Sequence, residues 1–433
     1  MKTKLLLVTG ILLLAFITKA QVWTSVGNGT NGRIGALAVY NSELYAGGFF
    51  YNLADSTWDV LKWNGTTWSS AKRKISHNVY AFAVFNSELY AGGHKISTDT
   101  LGLSTISRWN GANWSPCGTG TNNIPSYIDA LVVYNNELYA GGMFSSINGI
   151  PAYNIAKWDG TTWSALGAGV NNTVTSLTVY NGELYVGGGF TTAGGSPANN
   201  IAKWNGTTWS TVGTGMNTGI SALTVYNGEL VAGGNFTTAG GNPANRIAIW
   251  NGTTWSALSS GMDNLVDALA VYNGDLYAGG SFIIAGSSSA NHVAKWDGTS
   301  WFALGTGMND DVWTLGIYNS ELYAGGIFTT ADGNIANYIA KFNGGNGIKE
   351  TTNNNEINIF PNPASDFVTL SLKNSNNDDL SLNIYNVIGL LVRSEILKQN
   401  DRQIYIGDLC NGVYLITIKS NDFTENQRLI IQR

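Results

Sequence analysis

The chain has 433 residues, of which 12% are charged and 54 are glycine, with a formal net charge of −5. That balance suits tight β turns and extracellular sheet proteins rather than helices, and a mildly acidic surface argues against nucleic acid as a partner. Cys117 and Cys410 fall in different parts of the chain, so two unpaired thiols are expected and the fold must be held by burial.

Residues 1–20 open with Lys2 and Lys4, continue in an apolar run from Leu5 to Ile17 and end on Ala20. This order of basic, apolar and small residues reads as a cleaved secretory signal, too short to span a bilayer. Losing Lys2, Lys4 and Lys19 with it takes the charge from −5 to about −8. No later stretch is apolar enough to cross a membrane, so no transmembrane segment is expected after cleavage. Gln21, not Cys, follows the cut, which disfavours a lipoprotein anchor.

From Trp23 to Phe342 a unit of about 46 residues recurs, marked by Trp23, Trp68, Trp114, Trp163, Trp209, Trp255 and Trp301. Each copy predicts four strands, and multi-strand repeats of this period indicate a β-propeller. The N-terminal segment Val22–Gly27 is a lone fourth strand, and the last copy stops after its third, Ile339–Phe342. Seven complete sets result if the first segment finishes the last blade, which hides an edge that would otherwise invite aggregation. The expected fold is therefore all-β, a seven-bladed propeller over residues 21–346 closed by its N-terminal strand.

The turns predict two unlike faces. First turns such as Asn181-Gly182 and third turns such as Asn205-Gly206 favour type I′ hairpins, which makes one face short. The links between strands two and three, and those between repeats, carry all the length, and binding is expected on that long-loop face. The paired glycines of each second strand leave room for a neighbouring blade. Core packing is favoured over sugar stacking for the recurring Trp residues. An acid after every first turn, from Glu43 to Glu321, is matched by a base in six third strands, Ile249 being the break, so a structural ion pair is favoured over a cation-binding ring. Asn199, Asn245, Asn291 and Asn337 are read as loop-closing amides ahead of a glycan contact.

Residues 347–355 are polar and aperiodic, as a linker is. Residues 356–433 then show short alternating strands of a small β-sandwich. This tail resembles the type A C-terminal sorting domain of the Bacteroidetes type IX secretion system. Matching features are Pro361, Asn362 and Pro363 at the start, Gly389 after Ile384-Tyr385-Asn386, Gly412 and Tyr414 near the end, and a basic terminus at Arg433. The resemblance implies the type IX machinery as partner and a secreted or surface-attached destination in a Gram-negative, Bacteroidetes-like cell. The repeat itself resembles bacterial surface repeats with Ala-Gly-Gly-x-Phe and, more distantly, fungal cortical-marker and kelch propellers. That likeness implies the fold and leaves activity open.

No catalytic constellation, metal site or cofactor motif is legible. Asp159-Gly160-Thr161-Thr162-Trp163 is one residue too short for a sialidase Asp-box, and His77, His94 and His292 sit in different repeats without ligand spacing. A glycosidase would draw its two carboxylates from Asp55, Asp59, Asp99, Asp129, Asp263, Asp310 and Asp311, and nothing in the spacing selects a pair. The leading expectation is a binding module for a glycan or protein partner, with a carbohydrate-active enzyme or a purely structural surface protein as alternatives. The first three repeats depart from the pattern on the long-loop face, which makes Phe50, Tyr51, Trp58, His94, Tyr127 and Tyr153 the candidate ligand contacts.

Overall fold

The computed structural model describes residues 23–52, 57–58, 60–71, 75, 77–95, 105–121, 126–343, 357–372, 380–386, 391–398, 403–419 and 424–432. They contain strands and turns and no helix. The chain divides into two compact units, Met1–Asn343 and Gly344–Arg433.

Repeat four shows the pattern of the first unit. Val174–Tyr180, Glu183–Gly188, Ile201–Trp204 and Trp209–Thr211 pair antiparallel in chain order. Repeats one, five and six form the same four-strand sheet, and repeats two and three share a larger sheet joined by the pair Tyr127↔His94. In the last repeat, Trp23–Ser25 occupies the fourth place, with Trp23 opposite Phe342 and Ser25 opposite Ala340. The first strands of successive repeats lie side by side, and Val312–Tyr318 of the last packs against Ile34–Tyr40 of the first. A tyrosine at the end of that strand reaches the next repeat's first turn: Tyr40 to the Ser87 carbonyl (2.9 Å), Tyr134 to Gly182 (3.0 Å), Tyr272 to Ser320 (3.0 Å) and Tyr318 back to Ser42 (3.1 Å).

Packing follows from the repeated residues. Trp23 is fully buried, and Trp63, Trp158, Trp204, Trp250 and Trp296 are each 5–7% exposed. A buried Trp removes roughly 150–250 Å² from water, about 4–6 kcal/mol at ~25 cal/mol per Å². Fourth-strand indoles also reach backward, Trp209 donating to the Leu166 carbonyl (2.9 Å) and Trp301 to Leu258 (3.1 Å). Cys117 is buried, Cys410 is exposed, and both are free thiols.

The paired glycines answer to close neighbours. A Cβ at Gly141 would overlap Val174 of the next repeat, and one at Gly188 would overlap the Thr173 carbonyl oxygen. The second contact belongs to a β-bulge between Val174 and Ser176 that recurs in all seven first strands.

The acid and base of each repeat meet in six ion pairs, from Lys203–Glu183 at 2.7 Å to Arg108–Glu88 at 3.4 Å. Half-exposed as they are, each contributes roughly 0–1 kcal/mol. Asn199, Asn245, Asn291 and Asn337 spend their amide N–H groups on backbone carbonyls at 2.9–3.1 Å, Asn337 on that of Asn28.

One turn expectation needs correcting. The first turn has the left-handed pair, Asn181 at φ 48° and Gly182 at φ 75°. The third is no type I′ link: Asn205 is not left-handed, and its side-chain oxygen accepts from the Thr207 and Thr208 amides (2.9 Å each) in a four-residue Asx loop. Six of the long loops hold a two-residue ladder such as Thr192–Ala193 with Ser196–Pro197.

The second unit has a three-strand sheet and a four-strand sheet that share one core, including Val368, Leu382, Ile416 and Leu429. Asn362 accepts from the Ile430 amide (2.8 Å), which ties Pro361-Asn362-Pro363 to the last strand. Gly412 opens the strand Gly412–Lys419, and the Tyr414 hydroxyl donates to the Cys410 carbonyl (2.9 Å). Gly389 and Arg433 lie outside the described residues.

Candidate functional site

The bulge is where the repeats differ. The residue left out of register is Gly35, Tyr80, Asp129, Thr175, Ser221, Asp267 and Trp313 in turn. Its neighbours hardly change: Ile or Val precedes it, and a small residue and then Leu or Phe follow. A bulge frees its extra residue from the ladder and re-aims the side chain, so a constant scaffold presents a varied set. All seven line one cavity of about 610 Å³ enclosed by the first strands. Leu131, Leu177 and their counterparts supply its apolar wall and pack toward the first glycine of the preceding pair.

A second varied ring lies one step nearer the long loops. It is the residue after each glycine pair: Phe49, His94, Met143, Gly189, Asn235, Ser281 and Ile327. The backbone holds it beside the bulge, as when the Phe49 amide donates to the Arg33 carbonyl (2.9 Å) and that of Ser281 to Leu265 (3.0 Å).

The bulge ring divides into two arcs, and Phe49 and His94 of the second ring fall with the first of them while Asn235 and Ser281 fall with the other. Repeats seven, one and two give an aromatic arc in which Phe49 contacts Tyr80 and Trp313, with ring centroids 5.8 and 6.2 Å apart. His94 extends it through a tilted ring contact with Tyr127, centroids 4.2 Å apart, and burial lowers the pKa of His94. Repeats three to six give a polar arc of Asp129, Thr175, Ser221 and Asp267. The Thr175 hydroxyl donates to the Ile220 carbonyl, and Ser176 accepts from the Leu223 amide (2.9 Å), so part of this arc also joins neighbouring repeats.

Burial pushes the Asp129 carboxyl up to about 7, and burial followed by the charge of Asp311 does the same to Asp267. Burial, then the Asp129 charge, raises the Tyr80 hydroxyl. Asp311 lies 3.4 Å from His292 Nδ1, which is also 3.0 Å from the Gly280 carbonyl, so His292 is not the isolated residue its spacing suggests. Among the described residues no Lys, Arg or His lines the cavity. Two carboxyls poised near neutrality can each donate or accept a hydrogen bond there.

The candidate contacts scatter. His94 and Tyr127 join the aromatic arc. Phe50 does not: it is 1% exposed in the core with Ile34, Leu44 and Trp63, because the Phe of each Ala-Gly-Gly-x-Phe fills the space between sheets. Tyr51 and Trp58 pair across a short ladder, and their side chains lie outside the described residues. Tyr153 is 54% exposed on a loop. Of the carboxylates considered for catalysis, Asp129 lines the cavity. Asp267, Tyr80 and Trp313 are not legible from loop divergence, since each is a varied residue inside a strand.

Residues 358–432 match the family model of the secretion system C-terminal sorting domain, and residues 150–311 match that of the Rax2 C-terminal beta propeller domain. The chain therefore carries a Rax2-like β-propeller and a C-terminal sorting domain. It is a secreted propeller protein handled by the type IX secretion machinery, and its destination is secretion or the outer surface in Bacteroidetes. No curated protein matches it. Among solved structures it is similar to the extracellular domain of the putative one component system from B. thetaiotaomicron, at 12% identity and a TM-score of 0.45, covering 94% of this chain and 57% of that one. It is also similar to the propeller domain of the Trilobed protease from Pyrococcus furiosus, at 12% identity and a TM-score of 0.31, covering 52% and 67%. A third likeness is to an α-L-arabinofuranosidase from Clostridium thermocellum, at 12% identity and a TM-score of 0.28, covering 74% and 93%.

Proposed function

We propose that residues 21–346 form a closed seven-bladed ring that works as an extracellular binding module for a glycan or protein partner, with the ligand entering the central cavity from the long-loop end. In this reading residues 347–355 are the linker and 356–433 the export signal. Closure is supported by the Trp23–Ser25 pairing and by the Tyr318 bond to Ser42, which repeats the contact between earlier neighbours. The binding reading rests on one observation: the bulged residue, which varies around the cavity while its neighbours hardly change, sorts into an aromatic and a polar arc. A residue kept for packing would repeat, as the buried Trp and Leu do.

A carbohydrate-active enzyme is the second reading, favoured by two carboxyls held near neutrality in one cavity. Screening the full chain on printed glycan and peptide arrays tests both readings. Hits should lose about tenfold or more in affinity with Tyr80→Ala plus Trp313→Ala and keep it with Tyr153→Ala. The reverse pattern would move the site to the loop rim, and turnover of a bound glycan would favour the enzyme.

A further inference from the structure

We infer that the long-loop end of the cavity holds an uncharged sugar residue, stacked on Phe49, Tyr80 and Trp313 with its hydroxyls bonded to Asp129 and Asp267. The inference rests on the channel reading above and names its ligand. A pyranose has C–H-rich faces that an aromatic ring covers and a hydroxyl rim that needs donors and acceptors together. The two arcs supply those opposite demands within one ring, with Asp129 next to Tyr80 and Asp267 next to Trp313 in ring order. Gly35, between Trp313 and Tyr80 in ring order, adds no side chain to the aromatic arc.

The cavity of about 610 Å³ falls within the ~300–1,000 Å³ range of small-ligand sites, which fits the end of a glycan better than a folded partner. Charge narrows the class. Without a basic residue in the lining, a uronic acid or a sulfated sugar would bring an unpaired anion next to two carboxyls. Burial also favours the neutral form of each carboxyl, which exchanges hydrogen bonds with hydroxyls and gives an ammonium group no fixed counter-ion.

Calorimetric titration of the full chain at pH 5.5, where the chitosan amines carry charge and both carboxyls are held neutral, with hexamers of β-1,4-glucose, β-1,4-mannose and α-1,4-glucose, against oligogalacturonate and a chitosan hexamer, tests this. At least one neutral hexamer should bind, and the two charged oligomers should bind about tenfold more weakly or not at all. Trp313→Ala, and separately Asp129→Ala with Asp267→Ala, should each weaken the neutral hexamer about tenfold or more, with thermal melting confirming that each variant is folded. A preference for either charged oligomer overturns the inference. If every saccharide fails while an array peptide binds and loses affinity with Trp313→Ala, the sugar is wrong and the channel stands. If a saccharide binds equally to the parent and to all the folded variants, both readings fall.

Discussion

Asp129 and Asp267 differ from the other acids of the repeats in where the backbone sends them. Glu183 and four of its counterparts follow a first turn and meet a lysine, whereas the two aspartates sit in bulges and face the cavity. Their effect on stability has a definite sign. With folded values near 7 against an ordinary 3.8, both states are protonated below about pH 4. Between pH 4 and 7 the unfolded chain releases protons that the folded one keeps, so stability falls as pH rises and levels off above 7. Asp129→Asn with Asp267→Asn should therefore leave the melting temperature unchanged at pH 4 and raise it at pH 8, by roughly 2–4 °C for each kcal/mol relieved. An equal shift at both pH values would contradict the burial of these groups. The ion-paired acids were legible because their partners recur in step. The cavity acids were not, because a strand reading by alternation has no place for a bulged residue.

At the scale of elements, the second glycine of each pair and the bulge beside it form one device. The glycine lets the carbonyl preceding the first strand approach, and the bulge then turns a side chain toward the axis. Gly188→Ala should cost about 1–3 kcal/mol, since a Cβ there meets fixed backbone. Gly189→Ala, one residue later and with only the Asn172 amide at 4.0 Å, should melt like the parent, and equal losses for both would refute the pairing of glycine and bulge. The glycine pairs were readable as sites of close approach, and their link to a bulge was not, since register is absent from a single sequence. The third turn misled for a related reason. Asn-Gly satisfies two turn chemistries, and the pair of Thr amides bonded to Asn205 selects the Asx loop.

Across the whole molecule, the repeat period and the cut ends carried the architecture, because a four-strand unit missing one strand names its own completion. Removing residues 21–27 should destabilise the first unit far more than an equal deletion within a long loop, as it uncovers the edge of Ile339–Phe342 and removes the buried Trp23. Matching melting temperatures for the two deletions would argue against a closed ring. Cutting residues 356–433 should leave a folded propeller that collects in the periplasm, and normal display of that truncated chain would refute export through the tail. The site was the least legible part. Loop divergence pointed to His94 and Tyr127, which contact each other outside the cavity lining, and equally to Phe50, which packs the core. The most direct test is a crystal structure of the full chain soaked with the tightest-binding neutral hexasaccharide. Density for a sugar between Trp313 and Asp129 is the predicted result, and density on the loop rim beside Tyr153 with an empty channel would contradict it.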